Sequence, residues 1–599
     1  MRLAIPFLLV AAGLLAGAGR LAYIQHYEGA RWSELAKEQH ERTIPIPAQR
    51  GSILDSEGRT LASSVRRRSL YFDPTMVSDA RFAAYTLAPL IQMPAAELET
   101  LLRDGQQRKT AEGKPCSFMW IKRRLDDAEA DAVAGVLRGR NMRAFELQDE
   151  VIREYPQGRL ACHVLGFFNE GGGAGAGIEL QFDKALSGTD GSRRVIIDED
   201  RERLAQRHEA DVAPRDGHSV VLTIDSHLQR ITERNLKLAV DEFKPEWAVA
   251  IVMDPKTGEV LAMASLPDFD PAKPLPPTET PAERALAELA LRNNAIGANY
   301  EPGSIFKPFI AAPAYAEGLT RLEEVYEING PTRLFGRRAL SDTVTYDRLT
   351  LAGIISQSSN IGMALLGGRL GGERIDRYIR SFGFGALTNI ELPGEENGQY
   401  ADRAKWTSYS IQSLPIGQEI SVTSIQLLTA FAALANEGVR LQPRIVRGIV
   451  GANGEIIEDR SAPIERARVM SSEAARAFRM EAMVKVVQEG TGRSAQIPDY
   501  QAFGKTGTAE IAAPSGRGYQ KKYVGSFLGG APAENPRAVA MVSIYKPSGS
   551  KYYGGTVAAP AVARILAETL QYLRVPPDAK SEVLPIAPQV DGPGGSVRP

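Results

Sequence analysis

The sequence predicts an α+β fold in which an antiparallel sheet lies between helices over about residues 241–575. Two apolar strands joined by a short hairpin open this segment, at 247–253 and 260–265. Three further strand-like runs close it, at 502–511, 523–531 and 538–545. Long apolar helices are predicted between the two groups, at 423–438 and 474–489. The strands from both ends are therefore expected to meet in one sheet.

The composition is that of an ordinary globular protein with room for several domains. The chain has 599 residues, of which 43% are hydrophobic and 24% charged, and its net charge is −1. This balance gives no support for nucleic-acid binding. Cys116 and Cys162 are too few for a disulfide framework and too far apart for a metal site, so both are predicted to be buried small side chains.

The N-terminus is apolar enough to enter a membrane. Residues 3–19 carry no charge, and the apolar character resumes after Arg20 as far as Ile24. As a helix this run spans about 25 Å, so Arg20 would have to reach the far interface to complete the crossing. A membrane anchor and a cleaved signal peptide both fit the residues, and both place the remainder outside the cytoplasm.

The region that follows, 42–240, predicts short elements in a varied order. Residues 43–48 are extended, 55–58 form a turn between two short strands, and 126–137 form a helix. The glycine-rich run 171–177 is predicted to be a flexible loop and not a phosphate cradle, because no strand precedes it and no lysine follows. A strand at 220–224 and a helix at 226–240 end the region. At the other end of the chain, the Pro- and Gly-rich tail 576–599 is predicted to be disordered.

Ser304 and Lys307 are the first candidate catalytic pair. Pro302-Gly303 places Ser304 in the first turn of an apolar helix that ends near Gly318, and a spacing of three puts Lys307 on the same face. A lysine whose pKa is lowered by burial and a neighbouring cation can take the proton of a serine hydroxyl. The alternative is an ordinary helix cap. A second S-x-x-K, at 548–551, lies in a Gly/Ser turn and is interpreted as accidental.

Two more motifs follow in order. Ser358 and Asn360 lie between two apolar helical segments within 349–365, where a loop can present a hydroxyl and an amide to a cleft. The run Lys505-Thr506-Gly507-Thr508 lies in a predicted strand and suits a peptide ending in a carboxylate, with Gly507 allowing close approach. Taken singly, these side chains are ordinary loop hydrogen bonders and a solvated charge. Together with S-x-x-K they indicate one active site.

Other catalytic classes find little support in the sequence. All six histidines lie at or before His227, so a Ser-His-Asp triad would need a base from outside the principal domain. There is no H-E-x-x-H motif and no Cys/His cluster. No metal and no cofactor are therefore predicted.

From about Arg50 to Pro577 the sequence resembles the penicillin-binding transpeptidases. The nucleophile motif of that family is matched by Glu301-Pro302-Gly303-Ser304-Ile305-Phe306-Lys307-Pro308, with Ile305 where threonine is usual. A second departure is Ala272, where asparagine often follows Phe269-Asp270-Pro271. The non-catalytic module of class B members is matched by 50–62, 155–156, 163–166 and 177–179.

The resemblance implies a fold and a division of the chain. The fold is a transpeptidase domain of the serine β-lactamase type over 241–575, with an antiparallel sheet and helices. It is preceded by a dimerisation or pedestal domain over 42–240 and by one uncleaved transmembrane helix over 1–24. The protein would then be a single-pass protein of the inner (cytoplasmic) membrane with its catalytic domain in the periplasm.

The resemblance also implies a reaction. Ser304 would attack the penultimate D-Ala of a peptidoglycan stem peptide, Lys307 would accept the proton, and Ser358 would pass a proton to the departing D-Ala. Asn360 and Lys505 would orient these groups, and the backbone N–H groups of Ser304 and Thr508 would form the oxyanion hole. β-Lactams would be trapped on Ser304. Two alternatives stay open, a D,D-carboxypeptidase or β-lactamase and a non-catalytic penicillin sensor.

The expected partners follow from the type of class B protein. The segments 551–560, 120–123, 382–385 and 392–395 resemble the division type, which acts at the septum. A membrane-embedded glycan polymerase and other division proteins are then the expected partners. An elongation-type enzyme is the alternative.

Overall fold

The structure is a computed structural model that describes residues 4–28, 41–110, 113–140, 142–169, 173–197, 203–205, 212–513 and 518–578. The chain packs into two compact units that alternate along the sequence. The first consists of Met1–Gly51, Ser64–Ile152 and Ser187–His218, and the second of Ser52–Ser63, Arg153–Leu186 and Ser219–Pro599. The predicted domain boundaries, which cut the chain at single positions, stay a prediction.

The first unit begins with an apolar helix, Ala4–Tyr23, which a short turn over Ile24–Glu28 extends. The segment Leu8–Glu28 is long and apolar enough to cross a membrane, and none of it is buried inside the protein. Leu8, Leu14 and Leu15 are all exposed. An apolar helix with no core against any side is typical of a membrane span or of a signal sequence.

The remainder of the first unit is a small α+β structure. The second half of strand Thr60–Phe72 pairs with Met119–Leu125, and Phe145–Glu154 also pairs with this strand. Leu70 and Phe72 form a core with apolar side chains of the helices Ala80–Leu87, Ala95–Gln107 and Asp127–Arg140. A separate sheet consists of Glu41–Ile46, Gly191–Ile197 and Arg203–Ala205. The extended segment at 43–48 and the helix at 126–137 are confirmed.

The second unit is built on a five-stranded antiparallel sheet. Its strands lie in the order Val260–Leu266, Trp247–Met253, Ala538–Tyr545, Tyr519–Ala531, Phe503–Ala512. The first strand in the sequence, Trp247–Met253, therefore lies beside the last, Ala538–Tyr545. This confirms the prediction that strands from both ends of the segment meet. Phe503–Ala512 is the last strand in this order, so one of its two edges is not paired within the sheet, and we call it the edge strand.

Each face of this sheet has its own core, because successive strand side chains point to opposite faces. Ala248, Ala250 and Val252 pack with the helices Ser226–Phe243 and Ala559–Tyr572. Val249, Ile251 and Met253 belong to the larger core, which also holds the helix Ser424–Ala435 and the helix Pro308–Ala316. The segment that carries Ser304 is thus packed against the second face.

Shorter elements complete the second unit. Its other helices are Cys162–Leu165, Gly177–Gln181, Asp183–Leu186, Pro281–Leu291, Asn294–Gly297, Leu351–Ser356, Asn360–Ser381, Ser410–Ser413, Ser472–Phe478, Val484–Gln488 and Gly554–Val557. Its other strands are Ile53–Leu54, Phe168–Asn169, Gly173–Ala174, Ser219–Leu222, Val325–Glu327, Thr332–Phe335, Arg338–Ser341, Arg348–Thr350, Gln399–Tyr400, Ile420–Ser421, Val439–Leu441, Val446–Val450, Ile456–Asp459 and Glu465–Arg468.

Two loop predictions need correction. In the glycine-rich run, Gly173–Ala174 pairs with Phe168–Asn169, and a helix begins at Gly177, while residues 171 and 172 lie outside the described residues. Gly177 permits a close crossing with Gly166, since a Cβ on Gly177 would lie 2.4 Å from the backbone nitrogen of Gly166. The tail is ordered at its start, because Asp578 accepts a hydrogen bond from the backbone N–H of Gln501 at 2.7 Å. Residues 579–599 lie outside the described residues.

Three smaller expectations were also wrong. Cys162 is buried as predicted, but Cys116 is partly exposed and its thiol donates to the carbonyl oxygen of Phe118 at 3.2 Å. The strand after the 55–58 turn is long, running over Thr60–Phe72. The helix predicted at 474–489 is interrupted by a π-turn over Arg479–Met483. Within that turn the buried guanidinium of Arg479 donates to the carbonyl oxygens of Leu434 and Ala533.

Candidate active site

Ser304 lies in a short 3-10 turn, Gly303–Phe306, that leads into the helix Pro308–Ala316. We call this turn the serine turn. Its start is fixed by a hydrogen bond from the N–H of Gly303 to the carbonyl oxygen of Gly417 at 3.0 Å. Both residues have left-handed backbones, with φ of 58° and 77°. A Cβ on Gly417 would lie 2.1 Å from the Gly303 carbonyl oxygen, so only glycine permits this approach. The predicted position of Ser304 in a first turn is confirmed.

The serine turn packs directly on the edge strand. A Cβ on Gly507 would lie 2.9 Å from the Cβ of Ile305 and 3.3 Å from the carbonyl oxygen of Pro302. Gly507 therefore makes room for the protein's own serine turn, which is a different reason from the approach of a peptide that the sequence suggested. Ile305, which departs from the usual threonine, is fully buried in this contact.

Lys307 is fully buried, and its ammonium group points to the loop that carries Ser358. Its Nζ donates to the Oδ1 of Asn360 at 2.8 Å, to the Oγ of Ser358 at 3.2 Å and to the Ser358 carbonyl oxygen at 2.5 Å. Burial lowers the pKa of Lys307 to about 7, against the opposing effect of the Asp342 carboxylate. A large share of Lys307 is therefore neutral near neutral pH, which is what a general base requires.

Lys505 reaches the same serine from the edge strand. Its Nζ donates to the Oγ of Ser358 at 2.9 Å and to the carbonyl oxygen of Thr506 at 2.9 Å. Burial, and after it the positive charge of Lys307, holds the pKa of Lys505 well below its usual range. Because the Ser358 oxygen accepts from both lysines, the hydroxyl hydrogen of Ser358 is left for another acceptor.

The loop that presents Ser358 has a strained backbone and firm anchors. Ser358 has a φ of 62° and lies between the helices Leu351–Ser356 and Asn360–Ser381. Ser359 caps the second helix by accepting from the N–H of Gly362 at 2.9 Å. The side-chain amide of Asn360 donates to the carbonyl oxygen of Ser341 at 3.0 Å, which turns its Oδ1 towards Lys307.

Sequence reasoning missed Asp342, which anchors this loop from a separate hairpin. Its carboxylate accepts from the Ser359 hydroxyl and from the N–H groups of Asn360 and Ile361. No motif or periodicity connects Asp342 to this loop in the sequence. Only the fold brings them together.

The structure thus brings together five of the eight predicted site residues, namely Lys307, Ser358, Asn360, Lys505 and Thr506. Ser304 is half-buried in the serine turn, and its hydroxyl has no hydrogen-bond partner among the described residues. Gly507 lies under that turn, as described above.

The two threonines differ in their contacts, since the Nζ of Lys505 donates to the hydroxyl of Thr506 at 3.4 Å as well as to its carbonyl oxygen. The hydroxyl of the buried Thr506 is 2.5 Å from that of Thr491, and the hydroxyl of Thr508 accepts from the N–H of Gly554 at 3.1 Å. In the part of the chain that the structure describes, there is no group of three His, Cys, Asp or Glu side chains placed to hold a metal ion.

The second S-x-x-K, at 548–551, lies in a turn as predicted, and so does a second K-T-G, at 256–258. Ser548 donates its hydroxyl to the carbonyl oxygen of Phe243 at 2.9 Å, and Gly549 next to it has a φ of 81°. Lys256 lies in the hairpin turn that ends at Gly258, whose φ is 74°. Neither Lys256 nor Lys551 is buried, whereas Lys307 and Lys505 are fully buried.

Comparison with known proteins agrees with this geometry. A family model described as the penicillin-binding protein transpeptidase domain matches residues 248–567. A model described as the penicillin-binding protein dimerisation domain matches residues 45–172.

The chain is also similar over most of its length to individual proteins. It is 31% identical to stage V sporulation protein D of Bacillus subtilis, over 93% of this chain and 83% of that protein. It is 31% identical to the peptidoglycan D,D-transpeptidase FtsI of Escherichia coli, over 94% of this chain and 90% of that protein. The crystal structure of penicillin-binding protein 3 from Mycobacterium tuberculosis with aztreonam is similar with a TM-score of 0.66 and 28% identity, over 89% of this chain and 98% of that one.

Proposed function

This chain belongs to the class B penicillin-binding proteins, and on that premise we propose that it is a peptidoglycan D,D-transpeptidase. It cross-links stem peptides through a serine acyl-enzyme and binds β-lactams covalently. The observation that carries the proposal is the pair of buried lysines that share the hydroxyl of Ser358 beside the serine turn.

Acylation begins at Ser304. Its Oγ attacks the carbonyl carbon of the penultimate D-Ala, and Lys307 takes the hydroxyl proton. The hydroxyl of Ser304, which has no hydrogen-bond partner in the described structure, is free to turn towards Lys307. Catalytic hydrogen bonds often form only in the complex with substrate.

Collapse of the tetrahedral intermediate breaks the peptide C–N bond. The departing D-Ala nitrogen needs a proton, and we assign its delivery to the hydroxyl of Ser358, which regains one from the ammonium group of Lys307. The backbone N–H groups of Ser304 and Thr508 hold the negative oxygen. Loss of one such donor typically lowers the rate by about 10²–10³-fold.

Recognition of the substrate is assigned to the edge strand. A stem peptide can pair with the free edge of Phe503–Ala512 while its terminal carboxylate lies near Lys505. A carboxylate there offsets the charge repulsion from Lys307 and favours the charged form of Lys505. Thr506, Gly507 and Thr508 complete this strand, and Asn360 orients Lys307.

The acyl-enzyme is then attacked by an amine of a neighbouring stem peptide, which forms the cross-link and releases Ser304. A β-lactam acylates the same oxygen, but its cleaved ring amide stays attached to the acyl group. The leaving group therefore remains in the site and hinders attack by an amine or by water.

Product analysis separates this activity from the hydrolytic alternative. Purified protein is given a stem-peptide analogue ending in D-Ala-D-Ala, with and without an amine acceptor. We expect release of D-Ala together with an acceptor adduct identified by mass spectrometry. Release of D-Ala with only the hydrolysed peptide, at every acceptor concentration, would identify a D,D-carboxypeptidase.

We further propose the cellular setting. Residues 1–24 form a single-pass anchor in the inner membrane, residues 42–240 form a pedestal, and the transpeptidase domain at 241–575 acts in the periplasm. The apolar helix Ala4–Tyr23 and the similarity to FtsI support this arrangement. The partners are peptidoglycan stem peptides, a membrane-embedded glycan polymerase and other division proteins.

A role at the septum follows from the same similarity, and depletion of the protein tests it. Cells that lack it are expected to continue elongating without septa, which microscopy with a cell-wall stain would show. Cells that become round and still divide would assign the protein to elongation. The chemistry at Ser304 would be unaffected by that result.

A further inference from the structure

Asp342 binds the loop that contacts the catalytic lysine without belonging to any of the three motifs. It directly follows the strand Arg338–Ser341. Its carboxylate accepts from the hydroxyl of Ser359 at 2.5 Å, from the N–H of Asn360 at 2.5 Å and from the N–H of Ile361 at 3.1 Å. Its own backbone N–H donates to the carbonyl oxygen of Pro331 at 2.9 Å, which fixes the carboxylate from behind.

These contacts hold the Ser358 loop directly after Ser358, its strained residue. Ser358 itself has a left-handed backbone, which serine adopts only where the surroundings impose it. Asn360 and Ile361 supply the first N–H groups of the helix Asn360–Ser381, where a carboxylate is favoured by the helix dipole. Asp342 therefore fixes Ser359, the residue before the helix. It thereby also fixes the position of the neighbouring Ser358 hydroxyl, which accepts hydrogen bonds from both lysines.

Asp342 also supplies charge. The charged group that acts on the pKa of Lys307 is Asp342, from the hairpin, while Lys307 in turn lowers the pKa of Lys505, on the edge strand, after the larger effect of burial. The negative charge of Asp342 raises the pKa of Lys307 against the larger effect of burial, and it also raises the pKa of Tyr346. Asp342 is thus the negative charge that offsets part of the effect of burial on Lys307.

We propose that Asp342 is a positioning residue of the transpeptidase reaction, which clamps the Ser358 loop and sets the pH range in which Lys307 acts as a base. This inference rests on the proposed function of Ser304 and Lys307. Acylation requires neutral Lys307, so its rate rises with pH through the pKa of that group. Removing the negative charge favours neutral Lys307, and the rise then moves to lower pH.

Asp342→Asn separates charge from clamp, because the amide keeps an acceptor oxygen for the two backbone N–H groups. The rate of acylation by a fluorescent penicillin is measured between about pH 5 and pH 9, with thermal melting as the check of folding. We expect the rising limb of the profile to move down by about one pH unit. Asp342→Glu, which keeps the charge, is expected to restore the limb towards its original position.

Two further variants separate the effect of the Asp342 charge from the effect of its hydrogen bonds. Asp347→Asn is the matched control, since Asp347 is exposed on the same segment and its carboxylate has no hydrogen bond or ion pair among the described residues. Its profile should coincide with that of the wild type. Ser359→Ala removes one partner of the clamp and keeps the charge, so the maximal rate should fall while the limb stays in place.

Two results in Asp342→Asn would contradict the proposal, and one result in the wild type would contradict the proposed function first. A folded Asp342→Asn whose rising limb coincides with that of the wild type would show that the charge has no effect on the base. Loss of acylation at every pH in that variant would also contradict the proposal, since the acceptor oxygen is retained. If the wild type itself takes no label, the proposed function fails first, and the role of Asp342 fails with it.

Discussion

Ser304→Ala is expected to abolish covalent labelling by penicillin while the protein stays folded. The hydroxyl of Ser304 caps no helix and has no hydrogen-bond partner among the described residues. Its removal should therefore cost less than the roughly 1 kcal/mol that loss of a helix cap costs. The variant is compared with the wild type by fluorescent gel after incubation with a labelled penicillin, and thermal melting verifies the fold.

The control for this variant is the second S-x-x-K of the chain. Ser548 donates its hydroxyl to the carbonyl oxygen of Phe243, and the lysine of its motif, Lys551, is exposed, so burial does not prepare it as a base. Ser548→Ala should therefore be labelled like the wild type. Normal labelling of Ser304→Ala, or loss of labelling in Ser548→Ala, would mean that the nucleophile lies elsewhere.

Lys307→Arg is expected to lower the acylation rate by about 10³-fold, as loss of a general base typically does. A guanidinium stays protonated at working pH and cannot take a proton from serine. The guanidinium is also larger than the ammonium group of Lys307, which is fully buried in contact with Ser358 and Asn360. Lys307→Ala should lose acylation to a similar extent, and stopped-flow or quenched labelling gives the rate constants.

Lys505→Ala is the matched comparison, because it removes the other buried lysine of the same cluster. We expect it chiefly to weaken recognition of the carboxylate, so that the labelling rate recovers at higher penicillin concentration. Lys307→Arg should show no such recovery. Acylation at the wild-type rate in Lys307→Arg would point to a different base.

Much of the fold could be predicted because its signals are local. The strands of the central sheet and the helix Ser424–Ala435 follow from apolar runs and from turn residues within a few positions. The setting of Ser304 was equally local, since Pro302 and Gly303 fix where the turn begins.

What could not be predicted depends on contacts between distant segments. Asp342 acts through a hairpin that packs on the Ser358 loop, and no spacing in the sequence encodes that contact. Gly507 is required by the packing of Ile305, and Gly417 by the backbone of Gly303. A glycine in the sequence indicates that another segment lies close to it, and only the fold shows which segment that is.

The most direct test of the account is the position of the penicillin adduct in the wild-type protein. The protein is acylated, digested and analysed by tandem mass spectrometry, which assigns the added mass to one residue. We expect the adduct on the oxygen of Ser304, in the peptide that also contains Ile305 and Phe306. An adduct on Ser548, on Ser358 or on any other residue would contradict the assignment of Ser304 as the nucleophile.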